Sequence, residues 1–259
     1  MSTKVRILAL IPTLNDDPTK TVQSILNQSV EVSKIIVVIG GKELYKKLAQ
    51  NKLERTEYVY VKPDFSQPLG KRVGTAINTA LYKVNLNEYD YILKVDSEIT
   101  LPKDFVEKNI QGMPDFVGSG GAAMLFKTNA LLNSLGGKYP EVPADDTYLA
   151  SKFLYEGYTV KRWRCYPQSK KREKYPHSYK HCLQRGIELY KLGYEPVHVL
   201  HYPLEFVHDL TIATFSMYSF FPVIGYFIAT LRRTNRYEFA RWIFLMQVRR
   251  IIFGRQFKY

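Results

Sequence analysis

Two stretches of this chain are rich in branched apolar residues from end to end. Lys4 to Ile11, KVRILALI, stops at Pro12, and Lys34 to Ile39, KIIVVI, stops at Gly40 and Gly41. A strand with solvent on one side alternates polar and apolar positions, so near-continuous runs like these need cover on both faces. The intervening segments carry a helical period. Asp17 and Pro18 offer an N-cap and a first-turn proline, and Val22, Ile25 and Leu26 share one helix face. Leu44 to Lys52 reads as a second helix, Glu57 to Val61 as a third strand, and Gly70 to Tyr82 as a helix with Val73, Ile77, Ala80 and Leu81 inward. Tyr91 to Val95 is a fourth strand. Strands alternating with helices predict an α/β fold with a mostly parallel central sheet and helices on both faces. Ligands gather at the carboxyl ends of such strands. PTLND (Pro12 to Asp16) and VDSE (Val95 to Glu98) both fall at such ends.

Further along, Asp115 to Phe126, DFVGSGGAAMLF, reads as one glycine-punctuated strand, with glycines that allow close approach to a ligand. Lys127 to Leu135 reads as a helix, and Pro143 to Gly157 as another that opens on Asp145 and Asp146 and turns Leu149, Phe153 and Leu154 inward. TVKRWRC then reads as a strand. There are no internal repeats and no low-complexity tract.

Charge divides the chain. The 259 residues carry a formal net charge of +13, which implies an anionic partner. Nine Lys or Arg against one acid lie between Lys161 and Arg185, and eight against one between Arg232 and Lys258. Cys165 and Cys182 are too few for a disulfide framework or a four-cysteine zinc site and suit a reducing compartment. Met1 to Arg6 lead straight into the first apolar run without a signal-peptide pattern.

Leu210 to Leu231 holds 22 residues without a charge, a length that could span a bilayer. Pro222, Gly225, five Ser or Thr residues and the strongly basic flank argue against a simple span. A second span over Tyr237 to Phe253 would carry Arg241, Arg249 and Arg250 into lipid. The expectation is helices lying in the membrane interface, with aromatics inserted and arginines on phosphates. Packing against the rest of the protein or a sister subunit is the competing reading. The expected organisation is a catalytic domain over 1–205 and a membrane-associating helical segment over 206–259.

Asp96 and Glu98 supply hard oxygen donors suited to Mg²⁺ or Mn²⁺. On an extended strand they point to one side, with Ser97 opposite. Alone, an acid-x-acid pair at a strand end is more often a solvated turn. Its context is more specific. "IPTLN", "LGKRVGTAINTAL", "GSGGAAMLFKTNAL" and "ADDTYLASKFLYEGYTV" occur in an order that resembles the family 2 glycosyltransferases. These are inverting enzymes of the GT-A fold that use nucleotide-diphosphate sugars. Pro12, Thr13, Leu14 and Asn15 match the turn after the first strand, and Asp96-Ser97-Glu98 matches the Asp-x-Asp motif. Asp145-Asp146 matches the Glu-Asp pair that opens a helix on the acceptor side. The resemblance runs from Lys4 to Lys161.

What the resemblance implies is a nucleotide-diphosphate sugar donor met by Pro12, Thr13, Asn15, Asp96 and Ser97, with Mg²⁺ or Mn²⁺ on Asp96 and Glu98. Asp146 would be the catalytic base, with Asp145 its neighbour. Each acid could raise the other's pKa, and Asp145 could instead cap the helix. Lys71 and Arg72 at a helix start suit phosphate, against the commoner reading as solvated charges; Asn78 on that helix reads equally as structural. His177, His181 and Arg185 could reach a phosphate or simply line a polar loop. Three positions depart from the family pattern. Gly40 and Gly41 stand where an acid contacts base or ribose, with Asp64 a possible substitute. Glu98 replaces an aspartate, and Lys152 replaces an arginine. The implied activity is glycosyl transfer to a lipid-linked or glycan acceptor at the cytoplasmic membrane face, with an anionic membrane surface as partner and no nucleic acid. Rival readings are a basic nucleic-acid-binding protein and an inactive membrane-anchored scaffold.

Overall fold

The computed structural model describes residues 5–51, 53–118, 120–169, 179–205 and 220–253, with backbone alone for 201–205. The elements in order are β1 (Ile7–Thr13), α1 (Thr19–Leu26), β2 (Lys34–Ile39), α2 (Lys42–Gln50), β3 (Thr56–Tyr60), α3 (Leu69–Leu81) and β4 (Tyr91–Val95). Then come β5 (Ile99–Thr100), α4 (Phe105–Ile110), β6 (Phe116–Gly118), β7 (Ala123–Lys127), α5 (Thr128–Leu135), α6 (Asp145–Tyr155), β8 (Val160–Lys161) and β9 (Gln168–Ser169). Four helices close the described chain: α7 (Tyr179–Leu192), α8 (Pro196–Glu205), α9 (Phe221–Leu231) and α10 (Ala240–Phe253). Two compact units result, Met1–Arg172 and Glu173–Lys258.

The first unit is built on a seven-stranded sheet in the order β3-β2-β1-β4-β7-β6-β8. β1 pairs in parallel with β2 and β4, and β2 with β3. β7 runs antiparallel to both β4 and β6, and β8 is parallel to β6. The double-sided apolar runs are explained by two cores. Ile7, Ala9, Ile11, Ile35 and Val37 enter one, against Val22, Ile25 and Phe105. Leu8, Leu10, Ile36 and Val38 enter the other, against Ile77, Leu81, Leu149 and Phe153.

Three local expectations are corrected. DFVGSGGAAMLF is not one strand but an antiparallel hairpin, β6 and β7, turning where Gly120 adopts φ +83°, a conformation few other residues tolerate. TVKRWRC pairs with the sheet only at Val160 and Lys161. Pro18 occupies the cap position of α1 rather than its first turn, and Asp17 accepts the Thr19 N–H at 3.0 Å.

In the second unit α7 and α9 cross at glycines. A Cβ on Gly186 would meet the Pro222 carbonyl oxygen at 1.8 Å, and one on Gly225 the Leu183 carbonyl oxygen at 2.0 Å. Leu189, Tyr190, Val199, Tyr226 and Ala229 form its core. No helix among the described residues is long and apolar enough to cross a membrane. The α9 helix holds 11 residues, and residues 206–219, which include the first part of the uncharged run, lie outside the described residues, as does His177.

Candidate active site

β1 and β4 end side by side, and the loops beyond them carry the predicted motifs. After β1, the Thr13 hydroxyl donates to the Asp16 carbonyl at 2.8 Å, closing the PTLND turn on itself. The backbone N–H groups of Gly40 and Gly41 donate to the carbonyls of Thr13 and Leu14 at 2.9 and 2.7 Å. A Cβ on Gly41 would lie 2.2 Å from Asn15 Oδ1. The two glycines therefore give their space to the β1 loop, which is a physical reason for the missing acid after β2. Asp64, the possible substitute, is exposed and accepts the Ser66 N–H and hydroxyl in a local turn.

After β4 the backbone does not continue as a strand through the acid pair. It turns at Ser97 and Glu98, with the Ile99 N–H donating to the Asp96 carbonyl at 3.1 Å. Ser97 is buried, and its carbonyl accepts the Thr21 hydroxyl of α1 at 2.6 Å. That bond fixes the turn and leaves the two carboxylates on a bend rather than on one strand face.

Asp96 is held by a residue the motif reading passed over. Lys94, buried in β4, donates from Nζ to Asp96 Oδ1 at 2.6 Å and also to the Gly121 carbonyl in the β6–β7 turn. The Asp96 N–H donates to the neighbouring Ala122 carbonyl at 2.9 Å. The turn is the meeting point of the two predicted acid pairs, because a Cβ on Gly121 would lie 3.6 Å from Asp146 Oδ2. Among the described residues Oδ2 of Asp96 and Oδ2 of Asp146 take no hydrogen bond.

The acids at the start of α6 have different surroundings. Helix N-termini favour carboxylates through their exposed N–H groups. Asp146 uses Oδ1 for the N–H and hydroxyl of Thr147, at 2.7 and 3.3 Å. Asp145 does not cap the helix, whose cap position is Ala144. Its Oδ2 accepts the Tyr139 hydroxyl at 2.6 Å instead. Burial holds the Asp145 carboxyl above the usual carboxylate range; the Lys94 charge and the Tyr139 hydrogen bond pull it back, and Asp146 adds a smaller upward push. The mutual raising expected of the two acids is thus a lesser cause than burial. Tyr139 is pushed up well above the usual phenol range by burial first, then by the charges of Asp145, Asp146 and Asp96. The phenol thus touches Asp145 and lies within electrostatic reach of Asp146 and Asp96.

Tyr139 is itself set by α3. Gly70, Gly74 and Asn78 recur every four residues and share one helix face. Cβ atoms on the two glycines would meet the carbonyl oxygens of Val142 and Pro140 at 2.4 and 2.6 Å, so only glycine lets this segment lie against the helix. Asn78 then bonds the Tyr139 backbone twice, at 2.7 and 3.0 Å. Asn78 is thus a structural residue that places Tyr139 and, through it, Asp145. Lys71 is exposed, and the Arg72 guanidinium lies 5.1 Å from the centre of the Phe65 ring. No contact among the described residues joins either to the carboxylates. Lys152 pairs with Glu156 at 2.7 Å.

A hard divalent ion fits the donor set. Asp96 offers one oxygen beyond its bond to Lys94, and Glu98 stands two residues on. Mg²⁺ and Mn²⁺ are commonly held by one or two carboxylates with phosphates and water completing the shell. Among the described residues no three His, Cys, Asp or Glu side chains converge as a self-sufficient metal cluster.

No known protein-family profile and no curated protein matches the sequence. Solved structures do. The chain is similar to S. aureus TarS 1–349, at 15% identity and a TM-score of 0.53, over 98% of this chain and 93% of that one. It is also similar to TarS 1–349 in complex with UDP-GlcNAc, at 13% identity and 0.51, over 90% and 93%. Against the crystal structure of S. aureus TarS it spans 44% of that chain's length. The likeness shows the fold: a nucleotide-sugar glycosyltransferase fold of GT-A type.

Proposed function

We propose that this chain is a metal-dependent, inverting glycosyltransferase that moves a hexosyl unit from a nucleotide-diphosphate sugar to a lipid-linked or glycan acceptor. The observation that carries the reading is the convergence of Asp96 and Asp146 on the β6–β7 turn, at the carboxyl end of β4 in a nucleotide-sugar transferase fold. Its fold neighbour TarS has been solved with UDP-GlcNAc bound, which makes a UDP-sugar the first donor to test.

Each residue has a defined part. Asp96 through Oδ2 and Glu98 would hold Mg²⁺ or Mn²⁺, which would neutralise diphosphate charge in the leaving group. Pro12, Thr13 and Asn15 line the adjoining loop, and Lys71 and Arg72 are candidates for donor phosphate. Asp146 takes the acceptor hydroxyl proton on Oδ2 as the hydroxyl oxygen attacks C1. The bond from C1 to the diphosphate oxygen breaks, the nucleoside diphosphate leaves with the bonding electrons, and the anomeric centre inverts. Asp145 stays tied to Tyr139 and keeps its neighbour in place.

We place the reaction at the cytoplasmic membrane face. Support comes from α9 and its cap residue Phe220: Phe220, Ile224, Phe227 and Leu231 are exposed at helical spacing, followed by exposed Arg232, Arg233 and Arg236.

The test is release of nucleoside diphosphate from a panel of nucleotide sugars with Mg²⁺ or Mn²⁺. Turnover is expected with metal and lost with chelator. Asp96→Ala should lower it by about 10²-fold or more. Asp146→Asn should keep nucleotide binding and lose about 10²–10⁴-fold in transfer. Undiminished transfer by Asp146→Asn would sink the base assignment. Salt-sensitive RNA or DNA binding without sugar chemistry would favour a nucleic-acid-binding protein, and donor binding without turnover an inactive scaffold.

A further inference from the structure

We propose that Lys94 is a built-in counter-cation that weakens the binding of free divalent ions at the carboxylate site and makes tight binding conditional on a diphosphate. The inference rests on the donor-site reading above. The side chain of Lys94 is only 4% exposed, and its ammonium sits 2.6 Å from Asp96 Oδ1. It also holds the Gly121 carbonyl, and its charge reaches Asp145. The positive charge is therefore buried beside Asp96 and within electrostatic reach of Asp145.

Coulomb's law sets which ions this cluster accepts. Asp96, Asp145 and Asp146 around Tyr139 would attract a hard cation if they stood alone. With Lys94 on Oδ1, Asp96 is already neutralised on one side. A doubly charged ion at the other oxygen of the same carboxylate meets a like charge with little water between them to screen it. A diphosphate carries the negative charge that restores the balance. Ion and nucleotide then bind with positive coupling, which must appear equally in both affinities.

The same contacts give Lys94 a second consequence. One ammonium ties the end of β4 to the β6–β7 turn, and Asp146 lies against that turn. Asp96 is thus held in place whether or not ion and donor are present, and the acid pairs keep their spacing. Lys94 is a positioning residue: it acts through Asp96 and needs no contact with substrate.

The experiment is a Mn²⁺ titration of the full chain, with free Mn²⁺ read by electron paramagnetic resonance, in the absence and presence of UDP. Wild type should bind Mn²⁺ weakly alone and at least about tenfold more tightly with UDP. Lys94→Met should bind Mn²⁺ alone on the order of tenfold more tightly than wild type, with the coupling to UDP reduced by the same factor. Lys94→Arg keeps the charge and should keep the wild-type pattern. Lys94→Gln can still donate to the Gly121 carbonyl and gives the same readout should Lys94→Met fold poorly. A merely structural ion pair would leave free Mn²⁺ binding unchanged or weakened in the neutral variants. That result, with Mn²⁺–UDP still bound by wild type, overturns the inference and leaves the donor site standing. Absence of Mn²⁺ binding in every protein, with or without UDP, overturns both.

Discussion

Asp145 and Asp146 are neighbours in sequence and opposites in environment. Asp146 turns one oxygen to Thr147 and the other towards the β6–β7 turn, whereas Asp145 is drawn inward onto the Tyr139 hydroxyl. Burial raises the Asp145 pKa above its unfolded value, so between those two values the folded protein binds more protons than the unfolded chain. This contribution to stability is fully present below the unfolded pKa and is lost as pH rises through the folded one. At pH 7 the charged carboxylate is a cost. Asp145→Asn, which can still accept from Tyr139, should therefore raise the melting temperature at pH 7, with the gain vanishing in acid. A melting temperature lowered equally at both pH values would show that the charge on Asp145 supports the fold. Asp96, Asp145 and Asp146 were legible in the sequence as candidate site residues. Lys94 was legible only as an anomaly, a lysine inside the apolar strand YILKV and two residues before Asp96 on the same face. Its partner at Gly121 is 27 residues away, and no local pattern pairs them.

At the scale of elements, periodicity identified the strands and helices whose faces are plainly apolar. It failed where a turn depended on backbone freedom. DFVGSGGAAMLF has only Asp115 and Ser119 as polar side chains, so pattern alone reads one strand; three glycines and the pairing of Phe116 with Phe126 make it a hairpin. That difference matters for function, since the turn is what joins the two acid pairs. The α9 helix shows a division of faces that composition concealed. Pro222, Gly225, Tyr226 and Ala229 are buried, and Tyr226 donates to the Tyr194 carbonyl at 2.7 Å. The opposite stripe ends in Leu231, 83% exposed, next to exposed arginines. The proposed occupant of this stripe is an anionic lipid surface. The chain should sediment with vesicles of phosphatidylglycerol and phosphatidylcholine, and less so at high salt. Phe227→Glu with Leu231→Glu should weaken this by at least about tenfold, because each large apolar side chain is worth ~1.5–3 kcal/mol on full burial. Unchanged sedimentation would remove the stripe from the membrane contact, and a mass that halves in the double variant would assign it to a second copy of the chain.

The whole molecule confines the carboxylate cluster to one of its two compact units. Both cores of the sheet are closed by residues no later than Cys165, and Asp96, Glu98, Tyr139, Asp145 and Asp146 all lie in the first compact unit. The second unit has its own core around Tyr190 and Tyr226. A unit with its own buried core is expected to fold alone. Residues 1–172 should therefore unfold cooperatively and bind Mn²⁺–UDP with an affinity close to that of the full chain, yet lose sedimentation with anionic vesicles. Calorimetry and the Mn²⁺ titration measure the first two, and vesicle sedimentation the third. A fragment that melts cooperatively but no longer binds nucleotide would overturn the assignment of the donor site to residues 1–172.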